Sequence, residues 1–284
     1  MFRDRPSRTA QRVAMSRAAH QLLDDPRVLD DTLALLIIGA EDAAQLRSDP
    51  RRLAARFARH LRAFVVARSR VAEDELAAAM RRGVHQYVIL GAGLDTFAYR
   101  SAHAHAALRI FEVDHPATQA WKRGRLEAAD IGVPPSLTFV PIDFETQSLG
   151  SRLCEAGLRA EEPAFFSWLG VTMYLTRPVV MSTLRYVAEG LARGSGIVFD
   201  YAAPPASLSL PRRLVYRALM RRVAALGEPF RSFFAPQALC AELASLGFTH
   251  IENLGAAELN ARYFKNRADR LRVAGPARIM SART

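Results

Sequence analysis

Cysteine is nearly absent from this chain of 284 residues: Cys154 and Cys240 are the whole supply. Two thiols give neither a disulfide framework nor a cysteine metal cage. Long apolar runs are missing too. The longest, residues 33–40, falls far short of the roughly 20 residues a membrane span needs. The N-terminal stretch MFRDRPSR is basic, but no apolar segment follows it closely, so no secretory signal is expected. Lysine is as scarce as cysteine, with Lys122 and Lys265 set against 37 arginines. So lopsided a choice points to compositional bias as much as to phosphate binding. Aromatic interleaving and zinc or RNA-binding signatures are lacking as well. The absences together predict a soluble, cytoplasmic protein with neither nucleic acid nor membrane as partner.

What is present is a globular composition. Half the residues are hydrophobic and 24% are charged, which excludes bulk disorder. The net charge of +11 is unevenly spread. Residues 1–82 carry 16 basic residues against 11 acids, residues 83–200 carry 10 against 12, and residues 201–284 carry 13 against 5. A near-neutral centre flanked by basic segments favours an anionic substrate, because local positive potential raises its concentration and on-rate. Solvated arginine on helix faces accounts for the same numbers.

Hydrophobic spacing divides the chain. The first 82 residues read as helical throughout; Leu53, Phe57, Leu61 and Phe64 share one helical face, opposite arginines. From Gly83 the pattern alternates. Short apolar runs at 86–91, 109–114, 137–143, 163–169, 196–201, 248–254 and 277–280 read as strands. Helical stretches are expected at 116–130, 145–157, 178–191, 211–226 and 236–246. Strands alternating with such helices mean βαβ units and a mostly parallel seven-stranded sheet covered on both faces. The expected organisation is an N-terminal helical cap over 1–82 and an α/β domain over 83–284, with a helical insertion at about 202–235.

Open α/β sheets bind ligands at the carboxyl ends of their strands. The first strand ends in Gly91-Ala92-Gly93, where glycine permits a tight turn and a close approach of ligand to backbone. Thr96 stands where a dinucleotide loop would carry its third glycine. The second strand ends on Glu112 and Asp114, a carboxylate suited to both hydroxyls of a ribose. The third ends on Asp143 and Phe144, an acid and an aromatic suited to an adenine. Singly, each feature is also a common turn or helix cap. Together they form a nucleoside site without a diphosphate site, which suits S-adenosylmethionine better than a dinucleotide.

The same blocks carry a resemblance. Residues 88–100 (VILGAGLDTFAYR), 111–116 (FEVDHP) with Lys122, 140–144 (VPIDF), 167–176 (SWLGVTMYLT) and 227–230 (GEPF) resemble the leucine carboxyl methyltransferase family, in particular its bacterial branch of S-adenosylmethionine-dependent O-methyltransferases. The likeness runs over roughly residues 13–264. It implies a Rossmann-like methyltransferase fold with an N-terminal helical lid. By this resemblance Gly91, Ala92 and Gly93 would line the methionine part of the cofactor. Asp114, with Glu112 as the alternative, would hold the ribose, and Asp143 with Phe144 would frame the adenine. Arg68 matches a family arginine that pairs with the cofactor carboxylate, with Arg70 as the alternative; a guanidinium grips a carboxylate with two parallel hydrogen bonds. The chain departs from the pattern after the fourth strand. Many members carry a glutamate where this chain has Leu169 followed by Gly170, which leaves backbone groups there to touch the cofactor.

The catalytic step is less legible. Orientation and desolvation can supply much of the acceleration of methyl transfer from a sulfonium. A carboxylate acceptor needs no base; a phenol or alcohol would, and His103, His105 and His115 lie near strand ends. Tyr174 and Tyr201, after the fourth and fifth strands, suit either an acceptor pocket or the aromatic core. Three functions follow: a small-molecule O-methyltransferase whose acceptor is a carboxylate or hydroxyl, anionic by the charge distribution; a methyltransferase of protein C-terminal carboxyls; and a non-catalytic nucleotide-binding module.

Overall fold

In a computed structural model of the chain, the residues described are 8–49, 56–100, 107–144, 146–205, 210, 213, 216, 220, 221 and 229–284, with Arg8, Arg56 and Phe57 described by backbone alone. Seven strands form one sheet: β1 (Gln86–Leu90), β2 (Arg109–Asp114), β3 (Leu137–Pro141), β4 (Ala164–Trp168), β5 (Gly196–Ala202), β6 (His250–Leu254) and β7 (Ala277–Arg283). Their order is β3-β2-β1-β4-β5-β7-β6. β1 to β5 run parallel, and β7 is antiparallel to both its neighbours. The α/β class, mostly parallel sheet and strand positions match the reading of the sequence. The order reverses between β1 and β4, so the carboxyl ends of these strands open the crevice where ligands bind such sheets.

Alternation along the strands decides which face each side chain joins. Tyr87 and Ile89 pack on one face with Ile110, Phe165 and Val198. Val88 and Leu90 pack on the other with Phe111, Phe166 and Phe199. The first face is covered by the long helix α4 (Arg56–Arg81), which contributes Ala63, Val66, Ala67 and Val71. Helix α8 (Arg177–Glu189) covers the second with Val180, Leu184 and Val187, joined by Leu239 and Leu243 of α9 (Pro236–Ser245).

The N-terminal region departs from the expectation of continuous helix. Helices α1 (Arg8–Leu23), α2 (Ala34–Ile37) and α3 (Ala40–Ser48) are separated by an irregular segment over 24–33. Buried polar contacts hold that segment in place of helical bonds. His20, fully buried, meets Asp24 at 2.7 Å and accepts from the Val28 and Leu29 N–H groups; Arg62 of α4 bonds both carboxylate oxygens of Asp24.

Further down the chain, α5 (Phe97–Arg100) follows the glycine loop, α6 (Pro116–Ala128) follows β2, α7 (Leu149–Glu155) follows β3, and α10 (Ala256–Tyr263) follows β6. Helix α7 starts later than spacing suggested, and α5 and α10 were not anticipated. In the expected helical insertion, residues 229–235 form an irregular strap rather than helix. Leu53, His103, His105 and most of the anticipated helix 211–226 lie outside the described residues.

Candidate functional site

A cavity of about 530 Å³ opens at the carboxyl ends of β1, β2, β3 and β4. Its floor is the turn Gly91-Ala92-Gly93-Leu94-Asp95, with Asp114, Asp143 and Phe144 beside it. Its roof is α1, through Thr9, Ala10, Val13, Ala14 and Arg17. Arg68 and Ser69 of α4 face it from the side. Leu169, Gly170, Tyr174 and Leu175 after β4 and Pro229 and Arg231 of the strap complete the wall.

The floor depends on glycine. Gly91 has φ +66°, a region L side chains rarely adopt, and a Cβ there would collide with Val171. Gly93, also at positive φ, donates its N–H to Asp114 Oδ2 at 2.6 Å, while His115 N–H donates to Oδ1 at 2.7 Å. Both carboxylate oxygens are thereby aimed, and each keeps a lone pair for an incoming hydroxyl. Burial pushes the Asp114 carboxyl above its usual range, against the pull of those two N–H groups and of Lys122. His115 lines the cavity, yet its Nδ1 accepts from Ala117 N–H, so it serves as the cap of α6. Phe144 lies against Trp168, ring centroids 6.3 Å apart.

Glu112 is the correction on the floor. It lies outside the cavity wall, 1% exposed, with Lys122 Nζ at 2.7 Å and the Tyr99 hydroxyl donating at 3.2 Å. Alternation puts it on the same face as Asp114, but it stands two residues back from the strand end and is closed off by Lys122, whereas Asp114 is the last residue of β2 and bonds the glycine loop. One of the two lysines of the chain is thus engaged in a buried ion pair behind Asp114. Tyr201 also lies elsewhere: fully buried, it packs on Phe199 and Phe234 and donates to Asn253 Oδ1 at 3.1 Å. Arg70, the alternative to Arg68, is half exposed and pairs with Asp74. Tyr174 does line the cavity, set edge-on to Phe230 at 5.4 Å.

Several groups at the cavity were not found from sequence. Arg17 of α1 donates to Leu94 O at 2.5 Å and to Asp95 Oδ2 at 3.1 Å, and its Nε lies 3.3 Å from Asp31. This clamps the roof helix onto the glycine loop. Burial raises the Asp95 carboxyl, but Arg17, Lys122 and Arg100 outweigh it and hold the group below its usual range. Asp200, at the end of β5, bonds Arg68 Nη1 at 2.8 Å and accepts the Gly170 N–H. The strap is tied down by Arg231 N–H to Met173 O and by Ser232 Oγ to Thr172 O. A signal for Arg17 and Asp200 would have required knowing which distant elements meet.

The cavity fits S-adenosylmethionine on its own chemistry. It offers a carboxylate with both oxygens oriented, an acid and aromatic beside it, a glycine cradle and a guanidinium. Among the described residues no group of three or more His, Cys, Asp or Glu side chains is arranged to hold a metal ion, and no described helix is long and apolar enough to cross a membrane.

Comparison with known proteins places the chain in a family and supports its fold. The family model described as leucine carboxyl methyltransferase matches residues 10–188. YktD of Bacillus subtilis (strain 168), named as a candidate S-adenosyl-L-methionine-dependent methyltransferase, is 33% identical over 95% of both chains. A protein of the same description from Parafrankia sp. (strain EAN1pec) is 33% identical over 78% of this chain and 69% of its own. Among solved structures, a candidate methyltransferase from Thermobifida fusca YX superposes with a TM-score of 0.58 at 14% identity, covering 100% of this chain and 96% of that one. A protein from Streptomyces avermitilis MA-4680 gives 0.55 at 16% identity, covering 95% and 96%. At such identities the structures speak for the fold alone.

Proposed function

The chain belongs to the leucine carboxyl methyltransferase family and is an S-adenosylmethionine-dependent methyltransferase, and from that premise we propose that it methylates an oxygen of a small anionic acceptor, most simply a carboxylate. The observation that carries the proposal is the wall left over once the nucleoside and amino-acid ends are assigned. It includes Tyr174, Leu175, Pro229 and Arg231, an aromatic and apolar surface beside a guanidinium. Such a lining suits a compact acceptor with an apolar body and a negative head.

The bound cofactor supplies an electrophilic methyl group on a sulfonium. Asp114 would accept the ribose hydroxyls, Asp143 and Phe144 would frame the adenine, and Arg68 would hold the amino-acid carboxylate. Helix α1 and the strap line the cavity around the bound cofactor, and keeping water out there would favour a reaction in which opposite charges cancel. The wall would align the acceptor oxygen, and orientation of this kind is worth several kcal/mol. A carboxylate acceptor asks for no proton transfer, in keeping with a His115 whose Nδ1 is engaged in capping a helix.

The family description favours a second reading, methylation of a protein C-terminal carboxyl. The roof of α1 over the cavity supports the smaller acceptor. The experiment is transfer of labelled methyl to panels of small carboxylates, phenols and peptides ending in a free carboxyl. Base-labile label on small acids is expected. Turnover confined to peptides, or base-stable label on neutral phenols, would overturn the proposal, and the latter would restore the histidines as base candidates.

A further inference from the structure

The family glutamate expected after β4 is missing, and Leu169-Gly170 stands in its place. The acid beside that turn comes instead from the next strand. Asp200 is fully buried at the end of β5. One of its carboxylate oxygens accepts from Arg68 Nη1 at 2.8 Å and the other from the Gly170 N–H, while its backbone carbonyl takes the Thr172 hydroxyl. The guanidinium it holds lies flat against Gly170. A Cβ on that residue would sit 2.7 Å from Nη2 and 3.0 Å from Nη1, and its φ of +78° suits glycine alone. Arg68 is the one of the pair that reaches the cavity wall.

We propose that Asp200 is a positioning residue for cofactor binding: it fixes the Arg68 guanidinium, and the turn it rests on, in the orientation that receives the cofactor's amino-acid carboxylate. An arginine side chain carries much rotamer freedom, and holding it in advance removes that cost from the binding step. Asp200 also balances the charge of Arg68 beside a ligand that itself bears a sulfonium. The proposal rests on the assignment of Arg68 to the amino-acid end of the site.

The test is calorimetric titration with two ligands, S-adenosylhomocysteine and 5′-methylthioadenosine; the second keeps the nucleoside and lacks the amino-acid group. The proteins are wild type, Asp200→Asn, Arg68→Ala and the double variant. Asp200→Asn is expected to weaken S-adenosylhomocysteine by about 10-fold or more and to leave methylthioadenosine within about twofold. In the Arg68→Ala background the same substitution should add little. Equal loss of both ligands, or a full effect of Asp200→Asn without Arg68, would overturn the positioning role. If Arg68→Ala itself fails to separate the ligands, the assignment of Arg68 is wrong and the proposal falls with it. Should Asp200→Asn not fold, Gly170→Ala displaces the same guanidinium from the opposite side. It must show the same discrimination between ligands, and its absence overturns the proposal equally.

Discussion

The floor and the roof of the cavity are built on different physical terms. The floor comes from the ends of β1, β2 and β3, where sheet hydrogen bonds set the backbone and each lining residue lies on, or just past, the strand that places it. The roof of α1 and the walls from Arg68 of α4 and the strap are held around the floor by hydrogen bonds and ion pairs between distant parts of the chain. Two acids near one another show the difference. Burial dominates at Asp114 and raises its carboxyl, since its charge is held by backbone dipoles and left for a ligand. At Asp95 the charge is already paired, above all with Arg17, and its carboxyl is lowered. The floor therefore stores unsatisfied binding capacity, whereas the roof latch contributes to stability.

The sharpest way to break this contrast is to cut the latch. Arg17→Ala strands Asp95 and Asp31 without their shared partner, and loss of one member of a buried pair typically costs about 3–5 kcal/mol; Arg100 beside Asp31 places the expected effect near the lower end. Denaturant unfolding should show this loss of stability, while an unchanged midpoint would mean that α1 is held by its apolar face alone. On the floor, Asp114→Ala should leave stability nearly intact and weaken S-adenosylhomocysteine by about 10- to 150-fold, as for a lost charged hydrogen-bond partner worth roughly 1.5–3 kcal/mol. Unchanged affinity in the folded variant would remove Asp114 from the site.

A smaller effect is expected at the wall. Arg231→Ala should raise the Michaelis constant of an acidic acceptor by about 10-fold, near 1.4 kcal/mol, and leave cofactor affinity alone. Added salt should act in the same direction, because exposed charges are screened over about 8 Å at physiological ionic strength. A salt-independent acceptor constant would point to a neutral acceptor.

The pH dependence should differ in sign between the two acids. Asp95 is lowered in the folded state, so its stabilisation is whole above its unfolded pKa of about 3.9 and is lost as pH falls through the lower folded value. Stability curves of wild type and Asp95→Asn should therefore converge on acidification. Asp114 is raised, so ionising it opposes folding, and cofactor affinity should fall as pH drops through that raised value. A wild-type affinity as flat with pH as that of Asp114→Asn would contradict the assigned role.

The sheet, the glycine cradle and the acids at 114 and 143 were legible in the amino-acid order because each lies on, or next to, the apolar run that becomes its strand. Period-2 and period-3.6 patterns are local, and so is the turn that Gly91 and Gly93 permit. Even Glu112 was readable as an acid at a strand end. Pleating gives it the same face as Asp114; its place short of the strand end and the position of Lys122 on α6 took it out of the cavity. The clamp of Arg17 on Leu94 and Asp95 spans 77 and 78 positions of sequence, and the pairing of Arg68 with Asp200 spans 132. No periodicity reports such partners. An arginine-rich sequence offers 37 guanidinium groups as candidates for them. Packing α1 on the glycine loop and α4 on β5 selects one for each acid, because a buried carboxylate must be met by whatever cation the fold brings within reach.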